Sequence, residues 1–289
     1  GKRLLLNIQE GDSEDYLKRY VLGIDFLYKI FIRPWHLLSF RKADYITVLS
    51  RALRQRVRLS GVKSPIKIVP NGVDLEKFKA KNSEQRFENE ALRLKLGISK
   101  NEKVIIHSGR IVQKNGLDDL VRAVKYLGPL FKLLLMGDGP ERSNLENIAR
   151  ELNIENQIIF LGRYENDDLP QYLAIADVFV RPSLSEGLGN SFLEAMAVGL
   201  PIIGTPVGGI PDFLVDRQTG LFCQVRNPES IAQKIEEILS NNELKERIVE
   251  NGKKLVQEKY NWDSIASRME KIFKITLWLN PREDSTIRF

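Results

Sequence analysis

The sequence predicts an α/β protein built around a doubly wound, largely parallel β-sheet. From about residue 103 onwards, short runs of Val, Ile and Leu alternate with segments that have helical spacing. The runs are apolar without interruption, as expected of strands that are covered on both faces. Alternation of such strands with helices is typical of parallel βαβ units. Together the two patterns predict a sheet with helices on both sides.

The predicted elements follow one another regularly through the second part of the chain. The run at 103–109 is followed by a predicted helix at 117–127, where Leu117, Leu120 and Val124 recur at helical spacing. After the last apolar run, three helical stretches begin at Pro228. The remaining runs, each a predicted strand, lie at 131–139, 157–162, 177–183, 201–205 and 220–223.

The first part of the chain is predicted to form a separate, smaller unit. Strands are expected in the segments 42–50 and 64–74, the second of which ends in an Asn-Gly turn before a charged stretch. A chain of 289 residues is long enough for two domains. The expected division is 1–75, 76–260, and a terminal helix with a tail at 261–289. Because the opening residues read as a strand entered midway, the first domain is expected to be incomplete.

Composition excludes several classes of protein. The 43% hydrophobic and 28% charged residues are ordinary for a globular protein, and no apolar run approaches the roughly 20 residues of a membrane-spanning helix. Cys223 is the single cysteine, and His36 and His107 are the two histidines, so neither a disulfide framework nor a histidine-based metal site is expected. Without a recognisable signal peptide, the chain is predicted to be cytoplasmic. Nucleic-acid binding, which the pI of 9.2 suggests, lacks a recognised motif.

Positive charge is concentrated at the beginning of the chain. The net charge is +6, and residues 1–70 carry 14 Lys and Arg against 6 Asp and Glu. Within residues 15–42 the basic side chains alternate with aromatic ones such as Phe31 and Trp35. One hypothesis is peripheral contact with anionic lipid on the inner face of a membrane, or with an anionic acceptor. The alternative is an ordinary fold with aromatic core positions and a solvated basic face.

Glycines and ionisable residues gather where the predicted strands end. In a parallel sheet those ends share one edge, which is where α/β proteins bind ligands. There the segment 185–196, SEGLGNSFLEAM, places small residues before a helix, an arrangement that binds anions through backbone N–H groups. Arg110 and Lys114 follow the first strand of this sheet, and their charges suit a diphosphate. The alternative for either residue alone is a solvated loop.

Two acidic residues flank the glycine turn. Glu194 fits either of two roles: hydrogen bonding to ribose hydroxyls, or the third position of a helix-capping box that begins at Ser191. Glu186 precedes the glycines, where a carboxylate beside a bound phosphate requires a compensating cation or a hydroxyl-rich ligand. Gly137 and Gly139 are expected to form a tight turn first and to contact a ligand second.

These motifs resemble a known family. The segments GRIVQKNG, GDGPE, FLGR and RPSLSEGLGNSFLEAMAVGLPIIGTPVGGIPD are similar to the donor-binding half of retaining glycosyltransferases of family 4, which have the GT-B fold. The most specific element is the pair Glu186 and Glu194, an E-x7-E motif. The resemblance extends from about residue 43 to residue 272. It implies two Rossmann-like domains, of which the second binds a nucleotide-diphosphate sugar as donor.

The resemblance also implies roles for individual residues. Arg110 and Lys114 would hold the diphosphate, Glu186 would contact the transferred sugar, and Glu194 would bind the ribose. No metal or other cofactor is implied, because Lys, Arg and a helix N-terminus neutralise the leaving diphosphate. Retention by front-face substitution is implied, with the leaving phosphate helping to deprotonate the acceptor. The further donor-binding positions carried over are Gly187, Gly189, Asn190, Ser191, Gly137, Gly139 and Arg163.

The expected function is transfer of a sugar to a sugar or lipid-linked acceptor in glycolipid or cell-surface polysaccharide synthesis. The chain departs from the family at Asn115, where many members have lysine, and at Gln9, where many have a histidine near the acceptor. One alternative is a catalytically weak nucleotide-sugar-binding module, because the first domain is expected to be incomplete. Another is a phosphorylase of the same fold, which would require a lysine environment for pyridoxal phosphate.

Overall fold

The first sheet is small and parallel. The structure is a computed structural model that describes residues 3–9, 24–78 and 84–278. Within these ranges, β1 (Leu5–Ile8), β2 (Tyr45–Val48) and β3 (Ile66–Ile68) lie side by side in that order, and both pairings are parallel. Parallel neighbours require the chain to cross over the sheet between consecutive strands.

The second sheet is larger and doubly wound. Within the described ranges it consists of β4 (Lys103–Ser108), β5 (Phe131–Met136), β6 (Ile158–Gly162), β7 (Val178–Arg181), β8 (Ile202–Gly204) and β9 (Leu221–Phe222). The spatial order is β6-β5-β4-β7-β8-β9, with every pairing parallel. The chain builds outward from β4 to β6 and then returns to place β7 on the other side of β4. The predicted fold class is confirmed, and β4 and β7 form its switch point.

Helices connect the strands and cover both sheets. A helical turn at Asp25–Leu27 and a π-helical turn at Tyr28–Ile32 lead into α1 (Arg33–Lys42). The expected domain boundary near residue 75 falls between β3 and β4. The other helices are α2 (Arg51–Leu59), α3 (Glu84–Lys95), α4 (Leu117–Val124), α5 (Arg142–Glu151), α6 (Leu169–Ala174), α7 (Asn190–Val198), α8 (Pro228–Ser240), α9 (Asn242–Lys259) and α10 (Trp262–Trp278), with 3-10 turns at Gln113–Asn115, Glu155–Gln157 and Ile210–Asp212.

Both faces of the second sheet are buried, which explains its unbroken apolar strands. In β4, Val104 and Ile106 pack into one hydrophobic core, while Ile105 between them packs into the other. In β7, Phe179 packs into the same core as Val104, and Val178 packs into the same core as Ile105. Because successive strand residues point to opposite faces, a strand covered on both sides must be apolar throughout.

Local hydrogen bonds set the helix boundaries. The Oδ1 of Asn227 accepts a hydrogen bond from the Ser230 N–H at 2.9 Å and so caps α8, which starts with Pro228. α4 ends at Val124 rather than at the predicted Leu127, because the chain tightens into i,i+3 hydrogen bonds beyond Val124. The observed strands are likewise slightly shorter than the predicted ones, because residues at the predicted ends, among them Gly109, Pro182 and Pro201, lie outside the strands.

The last helix packs against the first sheet. Ile265 and Ile272 of α10 cluster with Tyr45 of β2. The chain reaches this position beside Val73, whose N–H donates to the Tyr260 carbonyl at 2.7 Å. These contacts hold the end of the chain, which follows the second sheet in sequence, against the first sheet. None of the helices in the described ranges combines the length and hydropathy that crossing a bilayer requires. Of the segment 15–42, for which the sequence suggests contact with anionic lipid, residues 15–23 lie outside the described residues, and that contact stays a prediction.

Candidate active site at the edge of the second sheet

The switch point places two loops side by side. β4 and β7 are adjacent strands, so the segments that follow them, 109–116 and 182–189, leave the sheet at the same edge. Such loops form the ligand crevice of doubly wound sheets. A larger cavity of about 820 Å³ and a smaller cavity of about 400 Å³ open there.

The predicted site residues all line one of these two cavities. Arg110 and Tyr164 line both and mark where the cavities meet. Gly137, Gly139 and Arg163 belong to the larger cavity. The residues around the smaller cavity are Arg110, Lys114, Glu186, Gly187, Gly189, Asn190, Ser191 and Glu194. The fold therefore brings four separate chain segments together at one edge.

The loop after β4 is held by polar contacts of its backbone. Lys114 and Asn115 are buried in a 3-10 turn. The Nδ2 of Asn115 donates to the Arg110 carbonyl at 2.6 Å, and the Leu184 N–H donates to the Lys114 carbonyl at 2.7 Å. These bonds fix the backbone between Arg110 and Lys114, the two residues predicted to bind the diphosphate.

Glycines let neighbouring loops pack backbone against backbone. Gly137 has a φ of +137°, and a Cβ there would collide with the Gly109 carbonyl oxygen. A Cβ at Gly139 would collide with the Ile111 carbonyl oxygen. Side chains are excluded at both positions for steric reasons. This close packing agrees with the tight turn predicted for Gly137 and Gly139.

The N-terminus of α7 faces the smaller cavity. Gly189 has a φ of +91° and directly precedes the first helical residue, Asn190; among the described residues no side chain caps this end. Ser191 lies inside the helix, and its Oγ accepts a hydrogen bond from Arg181 at 2.9 Å. The capping-box alternative is therefore wrong, because the left-handed glycine starts the helix before Ser191. An uncapped N-terminus presents backbone N–H groups and a partial positive charge.

Glu186 is held in place by protein contacts on several sides. Its side chain is 11% exposed, and its Oε2 lies 2.5 Å from Nη2 of Arg181 in an ion pair. Its Oε1 accepts from the Gly187 N–H at 3.0 Å, and its backbone carbonyl accepts from the Gly209 N–H at 3.1 Å. A Cβ at Gly208, where φ is +55°, would collide with that carbonyl. Both the carboxylate and the backbone of Glu186 are fixed.

Arg181 is a site residue that the sequence motifs did not predict. It ends β7, and its side chain is 11% exposed. One Nη donates to Oδ1 of Asn115 at 2.8 Å and pairs with Glu186, while the other donates to Ser191. Arg181 therefore joins the loop after β4, Glu186 and α7. The available signal was an arginine at the end of an otherwise apolar strand, because a buried charge needs partners.

Burial dominates the protonation of Glu194, an acidic residue that lines the smaller cavity. It raises the pKa of Glu194 above its ordinary value, while the charges of Lys77 and Arg181 act in the opposite direction. Burial also raises the pKa of Tyr164, and the charge of Glu194 adds to that shift. Tyr164 therefore keeps a neutral hydroxyl between the two cavities.

The first sheet contributes to the smaller cavity. Gln9, after β1, and Asn71, after β3, both line it. The Nδ2 of Asn71 donates to Oδ1 of Asn190 at 3.4 Å. The smaller cavity therefore lies between the two sheets rather than on the second sheet alone.

Arg163 lies at the rim of the larger cavity. Its side chain is 90% exposed, and its Nε lies 3.5 Å from a carboxylate oxygen of Asp138. Within the described residues, no group of three or more His, Cys, Asp or Glu side chains is arranged to hold a metal ion. The metal independence expected from the sequence stays a prediction.

The fold and the site define a doubly wound α/β protein with a crevice between two parallel sheets, which basic side chains and a helix N-terminus line. Residues 88–255 match the family described as Glycosyl transferases group 1. Residues 12–77 match the family described as Glycosyltransferase Family 4. The chain belongs to the glycosyl transferases group 1 family, so the glycosyltransferase family predicted from the motifs is confirmed.

Curated proteins from several organisms are similar to this chain in sequence. An N-acetyl-alpha-D-glucosaminyl L-malate synthase of Bacillus anthracis is 31% identical over 235 residues, which is 80% of this chain and 60% of the relative. A lipopolysaccharide core biosynthesis glycosyltransferase of Rhizobium meliloti is 32% identical over 232 residues, 80% of this chain and 64% of the relative. The chain thus spans about three fifths of the length of these curated relatives.

Solved structures show the same fold. Anabaena HepE in complex with UDP and glucose has a TM-score of 0.80 at 20% identity, covering 94% of this chain and 72% of that one. Sucrose-phosphate synthase from Thermosynechococcus elongatus has a TM-score of 0.80 at 24% identity, covering 96% and 68%. At these identities the likeness concerns the fold. The GT-B fold implied by the sequence motifs is confirmed.

Proposed function

We propose that this chain transfers a sugar from a nucleotide-diphosphate sugar to an acceptor, with retention of configuration and without a metal ion. The observation that carries the proposal is the smaller cavity, which Arg110, Lys114, Glu186 and the N-terminus of α7 line together. Membership of the glycosyl transferases group 1 family supports it. So does the likeness in fold to HepE, a protein described in complex with UDP and glucose.

The leaving diphosphate would bind where positive charge converges. Arg110 offers a planar fork of donors to phosphate oxygens, and Lys114 offers a compact charge. Negative charge on the leaving group grows in the transition state, so donors already in position stabilise that state most. This argument supports a reaction without a metal ion. The backbone groups proposed to contribute are those of Gly187, Gly189, Asn190 and Ser191.

Glu186 would face the transferred sugar. Its fixed carboxylate would stabilise positive charge that develops at the anomeric carbon, and Arg181 would act as a positioning residue for that carboxylate. In front-face substitution the leaving phosphate helps to remove the acceptor proton. Glu186 then acts through its charge and forms no bond to the sugar.

The nucleoside would occupy the larger cavity. Its volume of about 820 Å³ lies in the range of sites for small ligands. Glu194 would accept hydrogen bonds from the ribose hydroxyls at the junction of the two cavities. The backbone near Arg163, with Gly137 and Gly139, would lie against the base.

The acceptor is proposed to be a sugar or a lipid-linked molecule in glycolipid or cell-surface polysaccharide synthesis. The Rhizobium meliloti relative is named for lipopolysaccharide core biosynthesis. A Mycobacterium tuberculosis relative, 28% identical over 240 residues, is named for mannosyl transfer to a phosphatidylinositol monomannoside. Both names support an acceptor of this kind.

Turnover of nucleotide sugars tests the proposal. The wild-type chain is incubated with UDP-, GDP- and ADP-sugars in separate reactions that contain EDTA. It should release the nucleoside diphosphate from one of these three kinds of donor, by hydrolysis or by transfer. Glu186→Gln should abolish release and leave donor affinity within about tenfold. Glu236→Gln, on the exposed side of α8, is the matched control and should keep wild-type turnover.

Two results would contradict parts of this proposal. Full turnover by Glu186→Gln would remove Glu186 from the mechanism. Donor binding without any turnover by the wild-type chain would favour the alternative of a nucleotide-sugar-binding module.

A further inference from the structure

The loop 205–212, which follows β8, contacts both the segment that carries Glu186 and the start of α2. The Gly209 N–H donates to the Glu186 carbonyl at 3.1 Å. A Cβ at Gly209 would also lie 2.8 Å from the Cβ of Ser50, the residue that directly precedes α2. One glycine of the second sheet's loop therefore separates the backbone of Glu186 from the first sheet's helix.

Asp212, at the end of this loop, is hydrogen-bonded to α2. Its Oδ2 accepts from the Arg51 N–H at 2.8 Å, although the two residues lie 161 positions apart. Arg51 is the first residue of α2, and the first N–H groups of a helix have no partner within the helix. Ser50 Oγ accepts from the Leu53 N–H at 3.3 Å. Ser50 and Asp212 together cap α2, and the negative charge of Asp212 suits the positive end of the helix.

The loop between these two contacts is fixed along its length. At its start, Thr205 Oγ1 donates to the Ser183 carbonyl at 2.5 Å. At its end, the Asp212 N–H donates to the Gly209 carbonyl at 3.0 Å, and Ile210 between them is fully buried. Because packed and hydrogen-bonded segments move as a unit, a displacement of Asp212 is passed to Gly209 and so to the Glu186 carbonyl.

The surroundings of Asp212 differ from those of an acid on a solvated loop. Burial raises the pKa of Asp212, while its hydrogen bond from Arg51 and the charges of Arg51 and Arg54 act in the opposite direction. The Tyr260 hydroxyl donates to the Asp212 carbonyl at 3.5 Å. Tyr260 also accepts the hydrogen bond from Val73, so Asp212 lies where the two sheets meet.

We propose that Asp212 is a positioning residue: it ties the loop 205–212 to the start of α2 and thereby holds the segment of Glu186 in place in the crevice. Removing the tie would let Glu186 shift relative to the bound sugar, and a displacement of about 1 Å can cost a reaction about a hundredfold in rate. The catalytic consequence deepens the proposed function and rests on it. The tie between Asp212, α2 and Glu186 does not.

Steady-state kinetics test the catalytic consequence, with the UDP-, GDP- or ADP-sugar that the wild type turns over. Asp212→Ala should lower kcat by more than about tenfold and leave KM for the donor within about threefold, because the residues proposed to bind the donor lie elsewhere. Asp212→Asn keeps an acceptor oxygen and should keep kcat within about threefold of the wild type. Asp216→Ala is the matched control: Asp216 Oδ1 also accepts a backbone N–H, that of Phe222 at 2.8 Å, but within the second sheet's own part of the chain. It should keep wild-type kcat.

A second variant removes the same hydrogen bond from the other side. Arg51→Pro has no N–H to donate, and proline is well tolerated as the first residue of a helix. Ser50 has the extended backbone, φ −147° and ψ 167°, that a residue before proline adopts. Arg51→Pro should reproduce the loss in kcat, and Arg51→Pro/Asp212→Ala should lose no more than either single variant, because both remove one interaction.

Amide hydrogen exchange tests the tie without any turnover. The Arg51 N–H is bonded to Asp212, and the Gly187 N–H is bonded to the Glu186 carboxylate at 3.0 Å. Both amides should exchange at least about tenfold faster in Asp212→Ala than in the wild type, and at the wild-type rate in Asp216→Ala. Absence of turnover in the wild type, together with this faster exchange, would contradict the proposed function while supporting the tie.

Three outcomes would overturn the proposal. The first is unchanged exchange at Gly187 in Asp212→Ala. The second is wild-type kcat in Asp212→Ala or in Arg51→Pro. The third is a loss of kcat in Asp212→Asn as large as that in Asp212→Ala, which would show that the hydrogen bond to α2 is not what the reaction needs.

Discussion

Replacing Arg181 by methionine should destabilise the fold through the carboxylate that it leaves behind. Methionine fills a similar volume, so the main effect is electrostatic. Both side chains of the Arg181 and Glu186 pair are 11% exposed, and removing one partner of a buried pair costs about 3–5 kcal/mol. The hydrogen bonds to Asn115 and Ser191 are lost as well.

A double-mutant cycle identifies the source of that loss. Glu186→Gln removes the charge that Arg181→Met would strand, so the double variant should lose less stability than the sum of the two single variants, by at least about 1 kcal/mol. Urea denaturation followed by circular dichroism gives the free energies of unfolding. Arg122→Met, at an exposed position on α4, is the control and should change stability by no more than about 0.5 kcal/mol. Additive effects, or a loss below about 1 kcal/mol for Arg181→Met, would refute the reasoning.

Other parts of the site give further predictions. Because burial raises the pKa of Glu194, the folded chain binds that proton more tightly than the unfolded chain, and stability is lost as pH rises through the raised pKa. Glu194→Gln should therefore raise the melting temperature relative to wild type at neutral pH but not in acid; a constant difference across pH would contradict this. Gly137→Ala should cost about 1–3 kcal/mol in urea denaturation, because its φ of +137° and the Gly109 carbonyl both exclude a side chain; wild-type stability would contradict the steric argument. Burial raises the pKa of Cys223 to about 12, so Ellman's reagent should modify it only in urea, and rapid modification of the native chain would show that the thiol is accessible.

The strands were predictable because burial on both faces leaves a clear sequence pattern. Residues such as Val104, Ile105 and Ile106 are all apolar although they pack into two different cores. Element ends were predicted less well. The end of α4 depends on a local change to tighter hydrogen bonds after Val124, which apolar spacing does not record.

The site was predictable where its residues lie in one motif. Glu186, Glu194 and the glycines between them occupy one short segment, and Arg110 and Lys114 another. Arg181 was missed although its partners Glu186 and Ser191 lie in the same segment, because spacing alone does not show that the side chain at the end of β7 turns towards them, nor that it reaches Asn115, 66 positions away. The capping box at Ser191, one of the two alternatives for Glu194, was wrong because α7 starts earlier. Its start depends on the left-handed conformation of Gly189, which is a property of the folded loop.

The central claim is that the edge of the second sheet binds a nucleoside diphosphate through Arg110. The most direct test is isothermal titration of the chain with UDP, GDP and ADP in EDTA, comparing the wild type with Arg110→Ala and with Arg122→Ala as the exposed control. Binding of one nucleotide should weaken in Arg110→Ala by about 1.5–3 kcal/mol, roughly 10- to 150-fold, because charged hydrogen bonds to phosphate are lost; the control should bind as the wild type does. Equal affinity of Arg110→Ala and the wild type would contradict the claim.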